Sequence, residues 1–166
     1  MATYALKWTD PGQGNGNVVT ADAAGEVVHN VYEVDWSVAP IKGVTLALND
    51  IIDLGILPAN HTVTDVIIDT DDMDSNVTPT MSIDIGVLSG TPGDTTSVRT
   101  MGNEFFASDI TIRTGGISRM TKSAGLRVAA SGADRSLGLK VTAAAATQAS
   151  TTTGKIRVIF EMKASV

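Results

Sequence analysis

Cysteine is absent from all 166 residues, which excludes a disulfide framework and any zinc site built on thiolates. Histidine occurs twice, at His29 and His61, too few for a three-histidine metal centre. A nucleophilic triad would have to take its base from one of these two. Neither lies in a motif, and the chain has no G-x-S-x-G elbow and no H-E-x-x-H. Both read as surface or turn histidines. No apolar run approaches the length of a membrane-spanning helix. The first residues lack a basic stretch followed by an apolar one, so no secretory signal is expected. Charged residues make up only 18% against 43% hydrophobic, the reverse of a disordered chain and far from a coiled coil. Enzyme activity and a cofactor are therefore not expected.

What is present is a chain rich in small and β-branched residues with an uneven charge. The net charge is −6, which argues against general binding to nucleic acid. Residues 1–94 hold 14 acidic side chains against Lys7 and Lys42, a net of −12. Residues 95–166 hold four acidic and ten basic side chains, a net of +6. Such a split is explained if the halves interleave in one fold, or if acidic and basic edges meet between copies.

Residues 1–30 read as an extended N-terminal arm carrying Pro11-Gly12-Gln13-Gly14-Asn15-Gly16-Asn17, whose residues favour turns. From residue 31 the pattern becomes period two, the signature of half-buried strands. Tyr32, Val34, Trp36 and Val38 alternate with polar residues, as do Val44, Leu46 and Leu48, leading through Ile52 and Leu54 to Gly55. After a turn at Pro58-Ala59-Asn60-His61 come Val66 and Ile68, then Met81, Ile83, Ile85 and Val87. Phe105-Phe106-Ala107 fits a short helix or a bulged strand. Ile110 and Ile112, then Leu126, Val128 and Ala130, then Leu137, Leu139 and Val141 give further alternations. The Ala/Thr/Ser run 143–153 reads as a long hairpin loop, followed by Ile156, Val158, Phe160 and Met162 alternating with Arg157, Ile159 and Glu161. About eight short strands without intervening helices predict an all-β antiparallel sandwich over 31–166, a jelly roll preceded by the arm.

Local chemistry is sparse. The glycines of the arm lack the strand, helix and Gly-Lys-Ser/Thr of a phosphate loop. The acidic turn with Asp69, Asp71, Asp72 and Asp74 is the strongest signal. Asp72, Asp74 and Asn76 open like a calcium loop, but Val77 stands where glycine is needed and Ile83 where glutamate is needed. That leaves a solvated or salt-bridged acidic turn, or an improvised cation site. Tyr32, Trp36 and Phe160 fall on inward strand faces and read as core. Tyr4, Leu6 and Trp8 are the arm's candidate contacts with another protein, since Trp and Tyr serve as anchors.

The stretch Asp50-Ile-Ile-Asp-Leu-Gly-Ile-Leu-Pro-Ala-Asn-His-Thr-Val-Thr-Asp-Val-Ile-Ile-Asp-Thr-Asp, then Met81-Ser-Ile-Asp-Ile-Gly-Val-Leu and Gly154-Lys-Ile-Arg-Val-Ile-Phe-Glu, resembles small virion proteins of tailed bacteriophages. Some of these are jelly-roll capsid decoration, or cement, proteins. The resemblance spans roughly residues 44–90 and 136–161 and carries no catalytic residues. It implies a structural protein on the capsid surface, made in the host cytoplasm. Its partners would be the major capsid protein and its own copies, as a homotrimer, with no direct nucleic-acid or membrane contact. A carbohydrate- or receptor-binding sandwich of a tail or secreted protein is the alternative.

Overall fold

The structure, a computed structural model, describes residues 3–5 and 27–165. Its strands are β1 (Thr3–Ala5), β2 (Val27–Asp35), β3 (Ile51–Leu57), β4 (His61–Thr70), β5 (Ser82–Leu88), β6 (Phe106–Asp109), β7 (Gly116–Arg119), β8 (Arg135–Ala143) and β9 (Lys155–Ala164). One sheet runs β2-β9-β4-β7; the other runs β3-β8-β5-β6, with β1 added in parallel outside β3. Counting β2–β9 as one to eight, the sheets read 1-8-3-6 and 2-7-4-5. That interleaving of both chain halves in each of two packed antiparallel layers is the jelly roll.

The inward phase of each strand builds the layer between the sheets. Val34, Ile52, Leu54, Val66, Ile68, Ile83, Ile85, Leu137, Leu139, Val141, Ile156, Val158, Phe160 and Met162 are all essentially buried. Burying a side chain of this size contributes roughly 1.5–3 kcal/mol, so these rows hold the layers together. The ring of Phe160 is central: Tyr32 and Phe105 meet it edge-on at centroid distances of 5.8 and 5.6 Å. Trp36 follows β2 and is fully buried, its Nε1 donating to Val44 O at 3.1 Å.

Several short alternations are not strands. Residues 44–47 run without regular structure; Leu46 is buried there because the Gln148 side chain holds the segment, accepting from Leu46 N and donating to Val44 O, both at 2.9 Å. Ile110 caps a 3₁₀ turn over Thr111–Arg113 and is exposed, while Ile112 lies within the turn and is buried. Leu126 and Val128 belong to a second such turn at Gly125–Arg127, and Leu126 is exposed. A strand would set Ile110 and Ile112 on one face, whereas a 3₁₀ turn separates them; two or three alternating residues are too few to distinguish the two. Phe105 and Phe106 enter a bulged strand, in which Ser108 takes φ 49° and donates its N–H to Asp84 Oδ1 at 2.8 Å. β2 opens at Val27, so the first strand of the sandwich includes residues 27–30, while Val38 lies beyond its end and is exposed.

Two glycines of the quoted motifs are points of close approach. A Cβ on Gly55 would lie 2.1 Å from Cε1 of Tyr32, and one on Gly86 would lie 2.3 Å from the carbonyl oxygen of Gly102. Any larger residue would collide there, so the "LG" and "IGV" patterns are packing requirements.

Candidate contact surface

The two sheets present unlike outer faces. Asp53 on β3 points away from the core between Ile52 and Leu54, yet it is fully buried, as is Ser136 on β8. The connection after β5 folds back over them. Arg99 from this connection is 1% exposed and lays its guanidinium across the sheet. Its Nη1 donates to Asp53 Oδ2 at 2.5 Å, its Nη2 to Ser136 Oγ at 2.7 Å, and its Nε to Ser89 O at 2.6 Å. Gly93 N also donates to Asp53 Oδ2, at 2.9 Å, and Glu104 Oε2 accepts from Val87 N at 3.0 Å. A buried ion pair needs further hydrogen bonds to offset its desolvation; here they converge on Asp53 Oδ2, leaving Oδ1 without a partner among the described residues, and they fix the connection to the sheet. The part of this face around Asp53 and Ser136 is covered by the protein itself, while Asp84 and Lys140 stay half-exposed.

The outer face of β2-β9-β4-β7 is different. Its side chains are partly or wholly exposed along all four strands. Register aligns Val31, Ile159 and Ile67 in one apolar cross-strand row. The next row is Glu33, Arg157, Asp69 and Ile117. Arg157 bridges Glu33 at 2.8 Å and Asp69 at 3.0 Å, and Lys155 bridges Glu33 at 2.7 Å and Asp35 at 2.9 Å. The hydrogen bond from Lys155, aided by Arg157, lowers the pKa of Glu33. Hydrogen bonding to Ser37, then to Lys155, brings that of Asp35 down to about 2. The outcome is a flat surface of paired charge beside an apolar stripe, with Ile117 at 74% and Val31 at 56% exposure. Such a surface suits docking on another protein: its charges are already neutralised, and its apolar side chains lose water on contact.

Along 99% of its length the chain matches 99% of a chain in the capsid of Ralstonia phage GP4, at 33% sequence identity and a TM-score of 0.85. The chain belongs to the bacteriophage capsid proteins. A chain of the cyanophage Pam1 capsid asymmetric unit has the same fold at 21% identity and a TM-score of 0.63, over 95% of this chain and 98% of that one. No protein-family model matches the sequence, and no curated protein matches it.

In this capsid protein the charge split is used within the fold. The acids Glu33, Asp35, Asp53, Asp65 and Asp69 of the first 94 residues pair with the bases Arg99, Arg119, Lys155 and Arg157 of the remainder. The acidic turn is also bound up internally. Asp74 is 1% exposed and accepts four backbone N–H groups: Thr80 at 2.7 Å and Met81, Ala146 and Thr147 at 3.0 Å. Burial works against its charge, but these four donors outweigh it and hold the carboxyl well below the usual carboxylate range. Asp72 Oδ1 accepts from Asp74 N, Asp71 Oδ2 from Lys155 N, and Asn76 Oδ1 from Thr78 N, each at 2.9 Å. The oxygens that open like a calcium loop thus serve backbone amides. No group of three His, Asp or Glu is placed to hold a metal ion among the described residues.

His29 lies exposed on β2 with its Nε2 3.8 Å from Glu161 Oε2, whereas His61 is buried at the start of β4 with its Nδ1 2.8 Å from Ala59 O. Of the arm's candidate contacts, Tyr4 falls in the short strand β1, and Leu6 and Trp8 lie outside the described residues. The residues that sequence reasoning missed are Val31, Ile67 and Ile159. Their signal was an aliphatic residue in the outward phase of a strand, as Ile159 stands between Arg157 and Glu161.

Proposed function

We propose that this protein is an auxiliary capsid component of the decoration type, which binds the assembled phage head through contacts with the major capsid protein and stabilises it. The observation that carries the reading is the contrast between the two faces, in a chain that corresponds end to end to a capsid protein. One sheet has much of its outer face under its own connection, and the other presents an open, charge-paired, partly apolar surface. A ligand of the assembled state alone stabilises it by mass action, about 2.7 kcal/mol at a hundredfold excess over Kd. That work needs rigid contact surfaces and no reaction centre. Tyr4, Leu6 and Trp8 of the arm are the second candidate contact in this reading.

The test uses shells of the same phage assembled without this protein. Adding it back should saturate a fixed number of sites and raise the temperature at which the shells open. Ile159→Lys, on the outer face, should weaken binding while leaving the sandwich folded. Shells that fail to form at all without the protein would make it a shell-forming subunit and overturn the proposal. So would intact shells that do not bind it, with binding to glycans instead.

A further inference from the structure

Three of the four outer strand positions in this sandwich are guarded against pairing with another chain. β6 is four residues long and bulged at Ser108. β7 is also four residues long and follows Gly115 and Gly116 at φ 74° and 133°. The outer edge of β3 carries β1. β2 is the exception. It runs for nine residues, pairs with β9 without a register shift, and contains no proline or lysine. Among the described residues no strand pairs with its other side. Natural sheets blunt such an edge unless something covers it.

The hydrogen-bond phase shows which backbone groups are free. Trp36 N donates to Gly154 O at 3.1 Å, in the register that pairs Asp35 with Lys155. In an antiparallel ladder, residues alternate between bonding the partner and pointing away from it. Even-numbered residues of β2 therefore bond β9, and Val27, His29, Val31 and Glu33 direct their N–H and C=O groups to the open side, while the carbonyl of Asp35 at the end of the strand accepts from Val38 N at 3.3 Å. Val27, His29, Val31, Glu33 and Asp35 present their side chains on the outer face.

We infer that the open edge of β2 pairs antiparallel with β2 of a second copy, about a twofold axis at Val31. This register overlaps the two strands completely. Val31 meets Val31 of the other copy, and His29 faces Glu33, an imidazole beside a carboxylate. The central facing residues His29, Val31 and Glu33 have their backbone groups turned to the seam, so the three central pairs alone exchange about six hydrogen bonds. The two four-stranded sheets become one of eight, and the row Val31–Ile159–Ile67 continues across the axis into its copy. An isologous contact of this kind closes as a dimer, because each copy uses the same patch. The inference does not depend on the decoration reading. It differs from the threefold association implied by the family resemblance.

The test is the mass of the full chain in solution over a range of concentrations. A monomer–dimer equilibrium is expected. Val31→Pro removes an N–H that β9 does not use, a position where an edge strand tolerates proline. It should leave the circular dichroism spectrum intact and raise the dimer Kd about 30-fold or more, since two hydrogen bonds are lost per dimer. The cysteine-free background gives a second measurement. Val31→Cys should cross-link to its copy on oxidation, because paired residues lie about 5.5 Å apart at Cα, within disulfide reach. Val27→Cys, about 27 Å from its copy at the usual rise per residue, should not. A monomer at every concentration, a trimer indifferent to Val31→Pro, or equal cross-linking of both cysteine variants would overturn the inference. Shell binding by the Val31→Pro protein reports separately on the decoration role.

Discussion

Replacing Asp74 by alanine isolates one carboxylate that ties three segments together. Its Oδ2 receives the N–H groups of Thr80, Met81 and Ala146, and its Oδ1 that of Thr147. The side chain thereby fastens the end of the acidic turn to the entry of β5 and to the loop between β8 and β9. Alanine leaves these donors without their acceptor, beside a side chain that is itself buried; Met81 is buried too, while Thr80, Ala146 and Thr147 belong to the surface. At about 1 kcal/mol for each lost bond, the cost is about 4 kcal/mol. For a chain of this length that is a fall in Tm of roughly 8–16 °C. Asp74→Asn keeps one oxygen and turns an amide toward the remaining donors, so it should cost about half as much. Urea unfolding of parent, Asn and Ala variants, with thermal melts beside them, measures both steps. An Ala variant within about 1 kcal/mol of the parent would refute the claim that this carboxylate holds the loops. Millimolar calcium should leave the parent Tm unchanged, because Asp72 Oδ1, both oxygens of Asp74 and Asn76 Oδ1 already accept from backbone amides. A clear rise would show that a cation competes for them.

Acid should weaken the protein between about pH 4 and pH 2. The carboxyls of Asp35 and Asp74 have folded-state pKa values below the unfolded range, that of Asp35 at about 2. The unfolded chain therefore binds more protons in this window. The stabilisation they give is complete above about pH 4 and is lost as pH falls through the folded values; a urea midpoint that stays flat from pH 7 to pH 3 would contradict this. Asp53→Ala strands the buried Arg99 guanidinium and should cost about 3–5 kcal/mol, whereas Asp53→Ala with Arg99→Met should recover much of it. Urea unfolding of the two variants decides, and equal stability of the single and double variants would contradict the pairing.

The strands that sequence alone made legible are those with four apolar residues in phase. Ile156 to Met162 and Met81 to Val87 show β9 and β5 because a half-buried strand imposes period two over its whole length. The alternations at 44–48, 110–112 and 126–130 were too short to carry that information. Leu46 is buried by a glutamine 102 residues further along the chain, a contact invisible to any local window. The contact surface was harder still to see. Val31, Ile67 and Ile159 are unremarkable one at a time and become a stripe only when register places them side by side. The acidic turn was visible as a cluster of oxygens, but the donors that occupy Asp74 come from residues 80–81 and 146–147.

The position of β9 has a consequence for how the molecule comes into being. The last strand in the chain sits between β2 and β4, joining two strands made long before it. Until it emerges from the ribosome, β2 has no paired strand among the described residues, and Glu33, Asp35 and Asp69 lack the cations Lys155 and Arg157 that bridge them. Such late, long-range closure is slow. It also means that the outer rows Val31–Ile159–Ile67 and Glu33–Arg157–Asp69 exist only once β9 is in place, so the open face is among the last features of the molecule to form.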